Sequence, residues 1–313
     1  MHTKTIKSVL RRKVDAWLST IKDDRTRELV KDNVMVTGGS IVSMLLNEKP
    51  KDYDIYLTSR EAVFALARYY VTEFNAAEDY KVLLLGDPFS AGTPESQRED
   101  LTQYSEWSGS RLYVYVASDG VAESAESEAA LGEADEEAEQ PVTWGDDSDD
   151  KKPKATAEYR PRFLTSNAIS LTDGVQLIVR FYGSPEEIHK NFDFAHCKGY
   201  WLSGTGELVL PPDMLLSVVN KRLVYQGSKY PVCSVFRLRK FIRRGWTIDA
   251  GQVLKILMQV SQLDLSSVDV LREQLIGVDV SYFQNMLMHI EKHPCPTGVE
   301  FSGYLSEVID RFF

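Results

Sequence analysis

Two groups of residues close to the N-terminus have types and spacing that could do chemistry: Gly38-Gly39-Ser40, and Asp52 with Asp54 a short way on. Glycine carries no Cβ, so a glycine pair lets the backbone turn sharply and approach a ligand closely. Ser40 reads as the cap of a helix over 41–47, whose first amides would face an anion such as a triphosphate. After Pro50, the run Tyr53–Leu57 reads as a strand. Alternation on a strand sends Asp52 and Asp54 to one face, where two carboxylates can share a Mg2+ or Mn2+ ion. Asp52 and Asp54 are thus the candidate catalytic and metal-ligating residues. Gly38, Gly39 and Ser40 are the candidate nucleotide-binding ones.

The elements that must hold these residues can be read from hydrophobic periodicity. Ile6, Val9, Leu10, Val14, Trp17, Leu18 and Ile21 recur at helical spacing, so 4–32 reads as helix with a break at Asp23-Asp24. Val34–Val36 is a short buried strand leading into the glycine turn, and Ser59 caps a helix over 60–74. Lys81–Leu85 and Leu112–Val116 have strand character. Phe163–Leu171 turns at Thr172-Asp173-Gly174 into Val175–Phe181, a hairpin suited to extend the sheet that carries Asp52 and Asp54. Ser184-Pro185 starts a helix, with serine as cap and proline at the first helical position. Gly204-Thr205-Gly206 turns a second hairpin. Beyond Pro212 the period is helical, with helices near 213–220, 230–245, 250–263, 266–276, 280–292 and 302–312. The fold class is therefore α+β, a mixed-sheet domain over 1–212 and an all-α domain over 213–313.

The net charge of −10 belongs to one segment. Residues 121–150 hold twelve Asp or Glu and no Lys or Arg, and without them 34 acidic residues face 36 basic ones. The stretch from about 119 to 158 is rich in Ala, Glu, Asp and Ser, and reads as a disordered or loosely helical insertion. The overall sign is therefore no argument against a nucleic-acid partner. No apolar run is long enough to span a bilayer, and Met1–Lys13 lacks the apolar core of a signal peptide, so a cytoplasmic setting is expected. Three scattered cysteines, Cys197, Cys233 and Cys295, give neither a disulfide framework nor a zinc pattern.

Glycine turn, short helix and Asp-x-Asp entering a strand together resemble the signature of the polymerase-β-like nucleotidyltransferase superfamily, in particular its CCA-adding enzyme and poly(A) polymerase branch, with a bacteriophage-type member expected. The resemblance extends to Ser184–Phe194, which looks like the helix leading into that family's Arg-Arg-Asp-Phe-Thr segment and places Asp193 beside the nucleotide sugar. Asn220-Lys221-Arg222-Leu223 and the run Phe236–Asp249 are similar to its later motifs. The resemblance implies a nucleotidyltransferase head followed by an all-α neck and body, and a nucleotide site completed by Asp193, Arg237 and Arg239. It implies transfer of a nucleoside monophosphate from a nucleoside triphosphate to an acceptor hydroxyl, at an RNA or tRNA 3′ end, assisted by Mg2+ or Mn2+. The alternatives are nucleotidylation of a protein or small molecule, and a catalytically inactive binding or structural protein.

The chain departs from that pattern in three places, one of them Asn191-Phe192 where the family keeps its arginine pair. The strand position of the family's third carboxylate corresponds to the neutral Gln176, and the base-reading Glu-Asp-x-x-Arg corresponds to Tyr230–Ser234. Arg180 and Lys198 are further candidates for phosphate contact. Arg237, Arg239, Lys240, Arg243 and Arg244 form the densest basic cluster; on a helix it could contact phosphates, with Trp246 stacking on a base or packed in the core. His189 and His196 have no partner at ligand or triad spacing.

Overall fold

The computed structural model describes residues 1–77, 82–87, 99–107, 109, 111–116, 121–123, 159–165 and 167–267, with scattered positions between 270 and 308. α1 (Thr3–Leu18) buries Ile6, Val9, Leu10, Val14, Trp17 and Leu18, the apolar stripe its spacing requires. α2 (Asp24–Lys31) begins at Asp23, whose carboxylate accepts from the Thr26 amide at 3.0 Å. The Thr26 hydroxyl, and then that amide, hold the Asp23 carboxyl below its ordinary pKa. β1 (Val34–Thr37), α3 (Gly39–Leu45) and β2 (Tyr53–Leu57) follow. α4 (Arg60–Ala77) is capped by Ser59, whose hydroxyl accepts from the Ala62 amide at 3.1 Å.

β3 (Val82–Asp87), β4 (Glu99–Asp100) and β5 (Arg111–Val116) make a separate antiparallel sheet. β6 (Val121–Glu123), β7 (Pro161–Thr165), β8 (Ala168–Leu171), β9 (Val175–Tyr182), α5 (Pro185–His189), β10 (Tyr200–Leu202), β11 (Leu208–Val209) and α6 (Pro212–Asn220) come next. The main sheet has eight strands in the order β11-β10-β1-β2-β9-β8-β7-β6. Only β2 and β9 run parallel; the other neighbours are antiparallel. Central β1 is buried along its whole length. Ile55, Leu57, Val175, Leu177 and Val179 face the core beside α4, leaving Asp54 and Gln176 on the half-buried face.

Two details differ from the sequence reading, and the place of the second hairpin adds to it. The strand expected over 163–171 is two strands, because the Thr165 hydroxyl donates to the Ala168 carbonyl and accepts its amide, both at 3.2 Å, and so closes a turn. The 200–209 hairpin joins β1 and extends the main sheet on the side away from β9. Val121–Glu123, at the start of the acidic stretch, pairs with β7. Residues 124–158 lie outside the described residues, as do most of the expected helices at 266–276, 280–292 and 302–312.

Two compact units result. The first comprises Met1–Lys190 with His196–Asn220, and so includes α6; the second comprises Asn191–Ala195 with Lys221–Phe313. Described elements of the second are β12 (Arg222–Leu223), α7 (Pro231–Arg243), β13 (Thr247–Ile248) and α8 (Ala250–Val260). β12 and β13 pair in parallel, so the described part of this unit holds two helices and a short two-stranded sheet. Among the described residues no helix is long and apolar enough to cross a membrane.

Candidate ligand-binding site

β1 ends at Thr37, and Gly38 then takes φ 88° and ψ −145° to turn the chain into α3. A Cβ on Gly38 would stand 3.1 Å from Asp54 Oδ2, whereas one on Gly39 would meet nothing within 4 Å. Of the two glycines, only Gly38 is required by geometry. Gly38 is also the N-cap of α3, and Ser40 lies inside the helix. This corrects the expected role of Ser40: the helix begins earlier than 41, and its hydroxyl caps nothing. Ser40 is 2 % exposed, and among the described residues its hydroxyl meets no hydrogen-bond partner. A buried hydroxyl left unmatched costs on the order of 1–3 kcal/mol.

Strand register shows which side chains line up here. Thr37 pairs with Asp54, Asp54 with Gln176, and Gln176 with Ser170, a polar row across β1, β2, β9 and β8. Directly opposed residues share a face, so the row lies on one side of the sheet. Asp52 precedes β2 and is exposed; strand alternation puts it on the Asp54 side. Gln176 therefore occupies the cross-strand place beside Asp54, while Asp173 lies in the turn before β9 at φ 62°. Among the described residues no three His, Cys, Asp or Glu side chains gather into a metal cluster.

Behind Thr37 sits a residue that sequence spacing could not assign. The Thr37 hydroxyl donates to the Gly199 carbonyl at 2.7 Å, and His189 Nε2 lies 2.9 Å from the Thr37 hydroxyl oxygen. The single hydroxyl proton goes to the carbonyl, so Nε2 carries a proton and donates to Thr37. Burial, and then the charge of Lys198, push the His189 pKa down from 6.5 to about 4; Glu186 pulls the other way. With this pKa depressed, the unfolded chain binds a proton between pH 6.5 and about 4 that the folded chain refuses. Stability from this group is thus fully present above pH 6.5 and falls as pH drops towards about 4, by about 3 kcal/mol. Urea unfolding of the wild type and of His189→Gln across this window is expected to show a larger drop in the wild type, the excess being the share of His189.

Lys198 and His189 help line a cavity of about 390 Å³, together with Glu186, Lys190 and Tyr200. Arg180, the other cation singled out, donates to Asn167 Oδ1 at 2.9 Å.

Asp193, Arg237 and Arg239 all belong to the second unit. Asp193 is 5 % exposed and accepts from Arg237 Nη1 at 2.7 Å, so each answers the other's charge. Arg239 is exposed on α7, and Trp246 is buried against Phe241, its ring centre 6.0 Å away. The packed reading of that tryptophan holds, and the stacking one does not. Tyr230, Val232, Cys233 and Ser234 are buried, so the start of α7 presents core rather than a reading edge.

The profile of the Gad2 family, described as "Gabija anti-defense 2 family protein", matches residues 8–221, more than half of the chain and almost the whole first unit. The chain belongs to the Gad2 family. A curated relative from Bacillus phage SPbetaL7, named "Gabija anti-defense 2", is 24 % identical over 100 residues, which cover 32 % of this chain and 25 % of the relative. The chain thus spans about a quarter of the length of the curated relative that it matches. No solved structure matches the chain.

Gad2 membership corrects the expectation drawn from the Gly-Gly-Ser and Asp-x-Asp motifs. The chain is placed in an anti-defence family and not among the polymerase-β-like nucleotidyltransferases, and the expected transfer to an RNA or tRNA 3′ end falls with that placement. A glycine turn and a pair of strand aspartates are short, backbone-driven features that can arise outside that superfamily. The phage connection alone agrees with the relative found.

Proposed function

We propose that this Gad2 chain counters a Gabija-type defence in the host cytoplasm as a binding protein, without making or breaking a covalent bond. The observation that carries the reading is the register pair Asp54–Gln176. A two-metal reaction centre needs several carboxylates, and here the place beside Asp54 is held by a neutral amide. What remains is a polar recognition row, Thr37–Asp54–Gln176–Ser170, next to a glycine turn and the buried Ser40 hydroxyl.

The ligand class that fits is a nucleoside triphosphate with one divalent cation. Asp52 and Asp54 suit a Mg2+ or Mn2+ ion that is completed by phosphate oxygens, because Mg2+ is usually held by one or two carboxylates plus substrate phosphates. The cation would supply charge neutralisation between carboxylates and phosphates. Ser40 would donate its unmatched hydroxyl proton to the ligand. The macromolecular partner is a protein of the host's Gabija defence, a reading supported by the family and by the relative's name.

The test is phage plating on cells that carry Gabija, with and without this protein, beside incubation with each α-labelled nucleotide. The wild type is expected to restore plating and to transfer no label to RNA or protein. Asp54→Asn is expected to bind a Mn2+–nucleotide about tenfold or more weakly, the effect of losing a charged contact. Label transfer by the wild type, absent in Asp52→Ala/Asp54→Ala, overturns the binding reading.

A further inference from the structure

The Asp173–Gly174 turn connects α1 to the carboxylate pair. Lys13, on α1, donates from Nζ to the Asp173 carbonyl at 2.5 Å and to Asp173 Oδ2 at 2.7 Å. The same ammonium lies 5.3 Å from the centre of the Tyr53 ring and 5.0 Å from that of Tyr159. Its side chain is only 15 % exposed, although it is a lysine on the first helix of the chain. Burial first, and then the Asp173 carboxylate, push the pKa of the Tyr159 phenol up. A cation thus closes a cage of two aromatic rings and one carboxylate, the environment in which cation–π attraction adds to an ion pair.

The cage holds a turn of unusual backbone. Asp173 takes φ 62° and Gly174 φ 65°, two successive left-handed residues. Gly174 is pressed against the segment that carries Asp52: a Cβ there would stand 2.6 Å from the Lys51 carbonyl oxygen and 3.8 Å from Asp52 Cα. Tyr53, one wall of the cage, lies between Asp52 and Asp54 in the chain, and its alternation directs it away from their face. Asp52 lies outside β2, so strand pairing does not fix it.

We infer that Lys13 is a positioning residue for the Asp52–Asp54 pair, clamping the 173–174 turn onto the backbone of Lys51–Asp52 so that both carboxylates can reach one cation. The inference rests on the ligand reading of that pair given above. It assigns to a first-helix lysine the setting of the site's cation affinity, with no contact to the ligand itself.

Mn2+ binding to the full chain is the direct test, measured by calorimetry or electron paramagnetic resonance with a nucleoside triphosphate present, beside thermal melts. Lys13→Met keeps the alkyl chain and removes the charge. It is expected to weaken Mn2+ binding by about tenfold while the melt stays cooperative, with Lys13→Arg recovering part of the affinity. Asp173→Asn tolerates the left-handed turn and loses the ion pair, so it is expected to lower affinity in the same direction even if Lys13→Met fails to fold. Wild-type Mn2+ affinity in both Lys13→Met and Asp173→Asn overturns the positioning role while leaving the site intact. A wild type that binds no Mn2+ overturns the site itself, and the inference with it.

Discussion

Arg237→Met is expected to destabilise the second unit by about 3–5 kcal/mol, the usual cost of removing one partner from a buried charge pair. Asp193 is 5 % exposed, and its carboxylate accepts from Arg237 Nη1 at 2.7 Å. Its backbone is fixed as well, since its carbonyl accepts from the Gln226 amide at 2.8 Å. Phe194, next in the chain, packs edge-on against Tyr225 and Phe241, with both ring centres 5.7 Å away. The carboxylate therefore cannot swing into water when Arg237 is lost. Asp193→Asn alone leaves a guanidinium that is about one-third exposed and can be solvated, so its cost is expected to be smaller. The double variant Asp193→Asn/Arg237→Met is expected to recover much of the loss. Denaturant melts of all four proteins give the coupling energy. A coupling near zero would mean that the pair contributes nothing to folding.

This pair also shows what the sequence could and could not reveal. Helical periodicity placed α1, α2 and α4 closely, because each buries one stripe, and α2 and α4 also begin at side-chain caps, Asp23 and Ser59. The hairpins around 172–174 and 204–206 were legible from their glycines. The hairpin of β8 and β9 beside β2 was legible too, but the place of β10 was not: it lies beside β1 although most of the first unit separates them in the chain, and hydropathy carries no record of that partner. The site suffered from the same blindness. Asp54 was visible as a residue type, but its neighbours Thr37, Gln176 and Ser170 form a row only through three registers. Lys13 and His189 are a helix lysine and a helix-end histidine by sequence, and only tertiary contacts make one a clamp and the other a donor to Thr37.

The short motifs misled for a related reason. Gly-Gly-Ser followed by Asp-x-Asp records a turn and a strand face, which are backbone properties shared by many ligand sites. The chemistry done there depends on what the neighbouring strands contribute. At this sheet β9 contributes an amide, and the family match places the chain in Gad2.

Gly38→Ala is expected to cost about 2–3 kcal/mol and to weaken nucleotide binding further, whereas Gly39→Ala should change stability by less than about 1 kcal/mol. By sequence the two glycines are equivalent. In the fold, Gly38 holds φ 88° and ψ −145°, close to a region that only glycine occupies without strain. Its new methyl would also stand 3.1 Å from Asp54 Oδ2, tight enough that the carboxylate must yield. Moving Asp54 takes it out of line with Asp52, so affinity is lost beyond what the strain alone removes. Gly39 has open space where its Cβ would go and sits at the first helical position, where alanine is favourable. Thermal melts and Mn2+–nucleotide titrations of both variants separate the effects. Equal behaviour of the two would mean that the close approach of Gly38 to Asp54 plays no part in the site. A large loss of binding in Gly38→Ala alone would tie the ligand to the turn between β1 and α3, where strand, glycine and carboxylate meet.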